Sequence, residues 1–205
     1  MTGADAFGHG SAEPCPESAF RRRLLDGMAL AIRTRGYQDS TVADVVRYAG
    51  TSRRTFYEHF ASKQDCFVTL LAERNAETIR WIDSAVDPHA SWRTQIHQAV
   101  ETWVRSLQRD PSVTLSWIRV VPALDEDTWQ LERDARESFI RLIQKLASTP
   151  EFTTAGIRPP TRRMATMLLG GFRELVATTI EDGEEIADII DVAVESAIAL
   201  VGPHQ

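Results

Sequence analysis

Two arginines, a threonine, a tyrosine and a histidine stand within the short stretch Arg53-Arg54-Thr55-Phe56-Tyr57-Glu58-His59. Their side chains carry the donors that grip a nucleic-acid duplex. A guanidinium matches the O6/N7 pair of guanine, while hydroxyls, phenols and ammonium groups hold phosphates and fix register. Arg53, Arg54 and Thr55 lead the stretch and are the candidates for base edges. Thr41, Tyr57 and Lys63 suit phosphates, and His59 suits either. With Ser52 these residues make the expected DNA-contacting set.

Such donors need a rigid support, and the flanking residues supply one. Val42, Val45, Val46 and Ala49 recur at i, i+3, i+4 and i+7, one apolar face of a short helix. Gly50 stops that helix, because glycine takes the left-handed conformation at little cost. Ser52 is a good N-cap for a second helix, in which Phe56 and Phe60 share one face and leave Arg54 and Glu58 roughly opposite. Two short helices, a tight turn and a basic leading end make a helix-turn-helix. On these residues alone an ordinary helical hairpin with a solvated outer face remains the alternative.

The surrounding residues carry a more specific resemblance. Gly36-Tyr37-Gln38-Asp39-Ser40-Thr41-Val42, then Asp44-Val45, Ala49-Gly50, Ser52, Thr55, Tyr57, Phe60 and Lys63 are similar to the DNA-binding domain of the tetracycline-repressor (TetR) family of bacterial regulators. The resemblance spans roughly Phe20 to Leu71. It implies an all-α fold: an N-terminal three-helix helix-turn-helix DNA-binding domain joined to a C-terminal helical ligand-binding and dimerisation domain. It also implies a homodimer on palindromic operator DNA, released when a small-molecule effector changes the separation of the two recognition helices. Two positions depart from the family pattern. Thr51 replaces an apolar residue after the turn glycine, and Arg54 replaces a small residue, which alters the bases that can be read.

Charge is divided accordingly. The whole chain carries a net -6, yet residues 21–71 hold nine Arg or Lys against five Asp or Glu. A basic head on an acidic body is expected when one end meets phosphate. Residues 1–18 are small, polar and broken by Gly and Pro, and are expected to be a disordered tail. The DNA-binding domain is then placed at 19–65 and the helical effector-binding and dimerisation domain at 66–205. Phe20, Leu24, Met28 and Ile32 give the first helix a buried face, and Arg21-Arg22-Arg23 at its start either reach phosphates or are merely solvated. Ser62 and Asp65 open a fourth helix running to about Ala85.

Beyond it the chain reads as helical near 90–109, 112–123, 126–147, 161–181 and 184–201, with its longest loop at 148–160. Met164, Leu168, Gly171 and Leu175 form one apolar seam, and Ile186, Ile190, Ala193 and Ala197 another. Either seam could fill an internal core, whereas the resemblance implies that both form the dimer interface; Gly170 and Gly171, costly inside a helix, point to close backbone approach there. Trp103, Trp117, Trp129, Phe139, Met167 and Phe172 are the candidate lining of a pocket for an apolar or aromatic effector.

Enzyme signatures are missing. There is no nucleophile elbow, P-loop or dinucleotide-binding glycine turn, and the histidines do not pair at metal-ligand spacing. No cofactor, metal or catalytic residue is expected. No run of about eighteen apolar residues marks a membrane span, the N-terminus lacks an apolar leader, and a cytoplasmic location follows as the expectation. Cys15 and Cys66 are too few for a disulfide framework. A helical carrier of apolar ligands, or an enzyme without DNA binding, is the competing reading.

Overall fold

Capping chemistry fixes where the helices begin in the N-terminal half of the computed structural model, which describes residues 16–121 and 126–203 and the side chains of 18–121, 130 and 132–203. Helix α1 (Pro16–Asp39) is interrupted at Gly36, whose φ of 77° leaves the helical region. Helix α2 (Val42–Ala49) starts from Thr41 in a reciprocal box. Thr41 Oγ1 accepts from Asp44 N–H at 3.2 Å, and Asp44 Oδ2 accepts from Thr41 N–H at 3.0 Å. Ser52 caps α3 (Arg53–His59), and Ser62 caps α4 (Lys63–Ala85). Asp65 reaches back to the Ala61 N–H at 2.8 Å.

The rest of the chain is built of α5 (Trp92–Gln108), α6 (Pro111–Arg119), α7 (Glu126–Leu146), α8 (Pro150–Thr154), α9 (Arg162–Glu181), a 3-10 turn over Ile186–Ile189, and α10 (Ile190–Val201). No strand occurs among the described residues. The expected loop at 148–160 contains α8, with Pro150 at its first position, where a missing N–H costs nothing. Its Phe152 is buried. The expected tail lies outside the described residues up to position 15, and α1 begins at Pro16 rather than near 19.

Two hydrophobic clusters organise the molecule. The first joins Leu24, Met28 and Ile32 of α1 to Val45, Phe56 and Phe67 of the next three helices. Phe20 is not part of it; it is 39% exposed beneath the Arg23 guanidinium. The second is built from α5, α7, α9 and α10 around Trp103, Val104, Phe139 and Val176. Helix α4 runs unbroken across the boundary expected at 65, giving Phe67 and Leu70 to the first cluster and Ile82 to the second. Helix α6 also bridges: Val113 belongs to the first cluster, and Trp117 packs against both.

Candidate nucleic-acid interface and effector cavity

The turn between α2 and α3 depends on one left-handed residue. Gly50 sits at φ 59°, ψ 45°, and this lets Thr51 N–H reach Val46 O at 3.0 Å while Gly50 N–H reaches Arg47 O at 3.3 Å. Arg23 closes the same end, its Nη2 donating to Ala49 O and Gly50 O at 2.7 Å each. Cations at a helix C-terminus are favoured by the dipole. Arg23 is therefore held as a cap, Arg21 pairs with Glu73, and Arg22 is exposed.

Phe56 and Phe60 anchor α3, both buried with ring centroids 5.7 Å apart. The opposite face is open. The Arg54 side chain is 90% exposed, and its Nε lies 3.1 Å from Glu58 Oε1. An exposed i, i+4 pair of this kind contributes a few tenths of a kcal/mol at most, about 0.3–0.5, so a base edge can replace it. Arg53 and Tyr57 are exposed, and Thr55 and His59 half-buried. Thr41 and Ser52 flank this surface, though each hydroxyl already accepts its own helix's N–H.

Lys63 is placed differently from its expected phosphate role. Its Nζ donates to Tyr37 O and Ser40 O at 2.9 Å and to Gln38 O at 3.4 Å, and lies 4.3 Å from the Tyr37 ring centroid. An ammonium has three protons, and all are directed at the turn between α1 and α2. Burial pulls its pKa below the ordinary lysine value. Nothing in the sequence marks a contact that reaches back more than twenty residues.

The second cluster encloses a cavity of about 100 Å³. Trp103, Phe139 and Phe172 line it as expected residues, joined by Phe152, Leu142 and Ile96. Gln95 is its single polar lining residue among the described residues, and that amide is satisfied. Nε2 donates to Ala90 O at 2.8 Å and Pro88 O at 3.2 Å, while Oε1 accepts from Thr149 Oγ1 at 3.1 Å. Trp117 lines a smaller neighbouring pocket that shares Trp103, Phe139 and Leu169 with the first. Trp129 lies outside the residues whose side chains are described. Met167 is a correction. It is 68% exposed, because Leu168, Leu169 and Phe172 turn the inward arc of α9 away from it.

The seams assigned to an interface also divide. Leu168, Ile186, Ala193 and Ala197 are buried in the chain's own core and cannot face a second copy in this packing. Met164, Leu175 and Ile190 are half-buried, and Gly171 is exposed. Among the described residues, a Cβ built on Gly170 or Gly171 meets nothing within 4 Å, so neither glycine serves a close approach to them. With Met167 they make the outward face of α9, and Val192, 47% exposed, stands outward on α10. The acidic run Asp125–Asp127 lies outside the described side chains. No group of three metal-ligating side chains occurs among the described residues, and no helix there is long and apolar enough to cross a membrane.

Residues 24–70 match the family described as bacterial regulatory proteins, tetR family. Two Bacillus subtilis (strain 168) proteins described as uncharacterized HTH-type transcriptional regulators are related in sequence. YdgC is 28% identical over 98 residues, which is 46% of this chain and 50% of the relative. YxbF is 26% identical over 95 residues, 46% of this chain and 24% of the relative. The match thus spans half the length of the first and a quarter of the second. Among solved structures, the fatty acid degradation regulator FadR from Bacillus halodurans superposes with TM-score 0.76 at 15% identity, over 89% of this chain and 99% of that one. The transcriptional regulator FadR from Bacillus subtilis in complex with stearoyl-CoA gives 0.74 at 16%, with the same coverage. At such identities the likeness establishes the fold.

Proposed function

We propose that the chain, whose residues 24–70 match the tetR family of bacterial regulatory proteins, is a dimeric, ligand-released transcriptional repressor of that family. The observation that carries the reading is the form of α3. Two buried phenylalanines fix the helix, and its opposite face leaves Arg53, Arg54, Thr55 and Tyr57 free to enter a major groove. Arg54 and Arg53 read base edges, and Tyr57, Thr41 and Arg22 meet phosphates. Lys63 acts indirectly, by holding the turn that orients α2. The domain division is that of the two hydrophobic clusters, with α4 and α6 as the elements common to both.

Dimerisation falls to the outward faces of α9 and α10, where Met167, Gly171 and Val192 are exposed. The two glycines, without close contacts among the described residues, permit close approach of a second copy. Such a dimer presents two α3 helices to the half-sites of a palindrome. The work is done where the chromosome lies, in the cytoplasm.

The cavity takes an apolar guest, since it offers no unsatisfied polar group. FadR of Bacillus subtilis was solved with stearoyl-CoA, and an acyl chain suits these walls. An engineered apolar cavity of about 150 Å³ holds a benzene, so the 100 Å³ here is too small for a long chain until the walls move. Filling it must displace Trp103, Phe139 or Leu169, which also wall the pocket against α6. Helix α6 packs on α1, so the displacement reaches the head. A ligand that prefers the displaced state weakens DNA binding by its differential affinity.

The test is selection of binding sites from random duplexes by the purified chain, followed by mobility shift with and without a long-chain acyl compound. A palindromic consensus released by the compound supports the reading. A chain that binds the compound but retains no preferred duplex is a carrier.

A further inference from the structure

The apolar cavity has no group for the polar end of a ligand, so that end must leave, and the exits differ in what they offer. Toward α6 stands Arg173, 18% exposed, but its Nη1 already donates to Glu132 Oε1 at 2.9 Å and its guanidinium lies 5.4 Å from the centroid of the Trp117 ring. That cation is committed. The other exit lies between α4 and α7. Leu142 lines the cavity on one side and, on the other, a surface groove bordered by Arg80, Arg141 and Lys145.

The charges of this groove are unbalanced. Lys145 pairs with Asp83 across it. Arg141 donates to the Ser138 hydroxyl at 2.9 Å, and among the described residues neither Arg80 nor Arg141 has a carboxylate partner. One acid therefore faces three cations. The groove also contains Asn75, buried to 7% exposure, whose Oδ1 has no hydrogen-bond partner among the described residues. A buried polar atom left unpaired is costly, and a donor on a ligand relieves it. Leu142 lines both the groove and the cavity, and Ile79 of the groove packs against the apolar interior.

The geometry points to a divided binding site: an apolar chain inside the cavity, passing Leu142 between α4 and α7, and an anionic head held outside by Arg80, Arg141 and Lys145. The inference rests on the reading of the cavity as an effector site and extends it to the ligand's class, a long acyl chain ending in negative charge. More than one free cation favours a phosphate-bearing head over a single carboxylate, and a hydroxyl or amide N–H beside the chain meets Asn75. Guanidinium–phosphate pairs are charge-assisted and geometrically specific, so the head sets selectivity while the chain supplies apolar burial.

The experiment titrates three probes of equal chain length into the full chain, following tryptophan fluorescence: a fatty alcohol, the free fatty acid and its coenzyme A thioester. The same titrations are run on Arg80→Ala/Arg141→Ala and, as a control, on Arg93→Ala, an exposed arginine of α5. The thioester should bind most tightly, with affinity falling as salt rises. The double variant should weaken it about tenfold or more while leaving the alcohol unchanged, and the control should alter neither. Loss of the fatty acid as well as the thioester would assign any anionic head to the groove, whereas loss of the thioester alone would assign phosphate. Unchanged thioester affinity in the double variant overturns the divided site but, if the alcohol still binds, leaves the cavity reading intact. Failure of all three probes to bind overturns both.

Discussion

Arg33 on α1 reaches Asp110 at the start of α6, with Nη1 3.4 Å from Oδ2, and this pair ties the first hydrophobic cluster to the helix that lines the smaller pocket beside the cavity. Asp110 is buried, and its Oδ1 has no hydrogen-bond partner among the described residues. Burial raises its pKa above the ordinary aspartate value, against the opposing pull of Arg33 and Arg74. Between the ordinary and the raised value, the folded chain holds a proton that the unfolded chain releases. Stability from this group is greatest below the ordinary value and is lost as pH rises through the raised one. Asp110→Asn removes the charge and keeps the shape. Its melting temperature should exceed that of the wild type at neutral pH, and the two should converge in acid. A variant that melts lower at neutral pH would mean that attraction to Arg33 outweighs burial.

Lys63 separates a structural lysine from a phosphate-binding one. Its three carbonyl partners predict that Lys63→Ala destabilises the fold by about 1–3 kcal/mol, the scale of hydrogen bonds to a charged donor. The slope of log affinity against log salt should stay unchanged where the variant is folded. A phosphate contact would instead flatten that slope by about one unit at unchanged stability. Thermal melts and salt titrations on the same samples distinguish the two.

Gly171 has open space among the described residues where a Cβ would stand, so Gly171→Leu should leave the melting of the monomeric chain nearly unaltered. If α9 packs against its copy there, the added side chain overpacks the contact and costs about 1–3 kcal/mol of association. Analytical ultracentrifugation should then show a dimer shifted toward monomer with helical signal retained. A variant that remains as dimeric as the wild type places the interface on another face.

The head was legible because its signals are local. Thr41, Ser52, Ser62 and Gly50 each act within five residues of themselves, so boundaries and caps follow from spacing alone. Phe56 and Phe60 declare the buried side of α3 and, by subtraction, the exposed one. Helix α9 was not legible in the same way. Apolar residues at Met164, Met167, Leu168, Leu169, Phe172, Leu175 and Val176 occupy so much of its circumference that periodicity cannot say which arc faces inward. That is why Met167 was expected in the cavity and stands outside, and why Leu168 was expected at an interface and lies in the core. The short α8 carries its start signal, Thr149 before Pro150, in a stretch whose other glycine and prolines read as loop. Lys63 and Arg23 reach across more than twenty residues to backbone carbonyls, and no sequence pattern records such partners.

Arg54 offers the most direct test of the central claim, that α3 reads sequence. Its side chain is 90% exposed, and Arg54→Ala should leave thermal stability within about 0.5 kcal/mol. The measurement is the ratio of affinities for a selected palindrome and a scrambled duplex at matched salt, for the wild type and the variant. The wild-type chain should prefer the selected site by about a thousandfold or more, and Arg54→Ala should reduce that preference by about 1–3 kcal/mol at its contacted base pair. A wild-type chain that binds both duplexes equally at every salt concentration, or a variant whose preference is unchanged, would contradict the account.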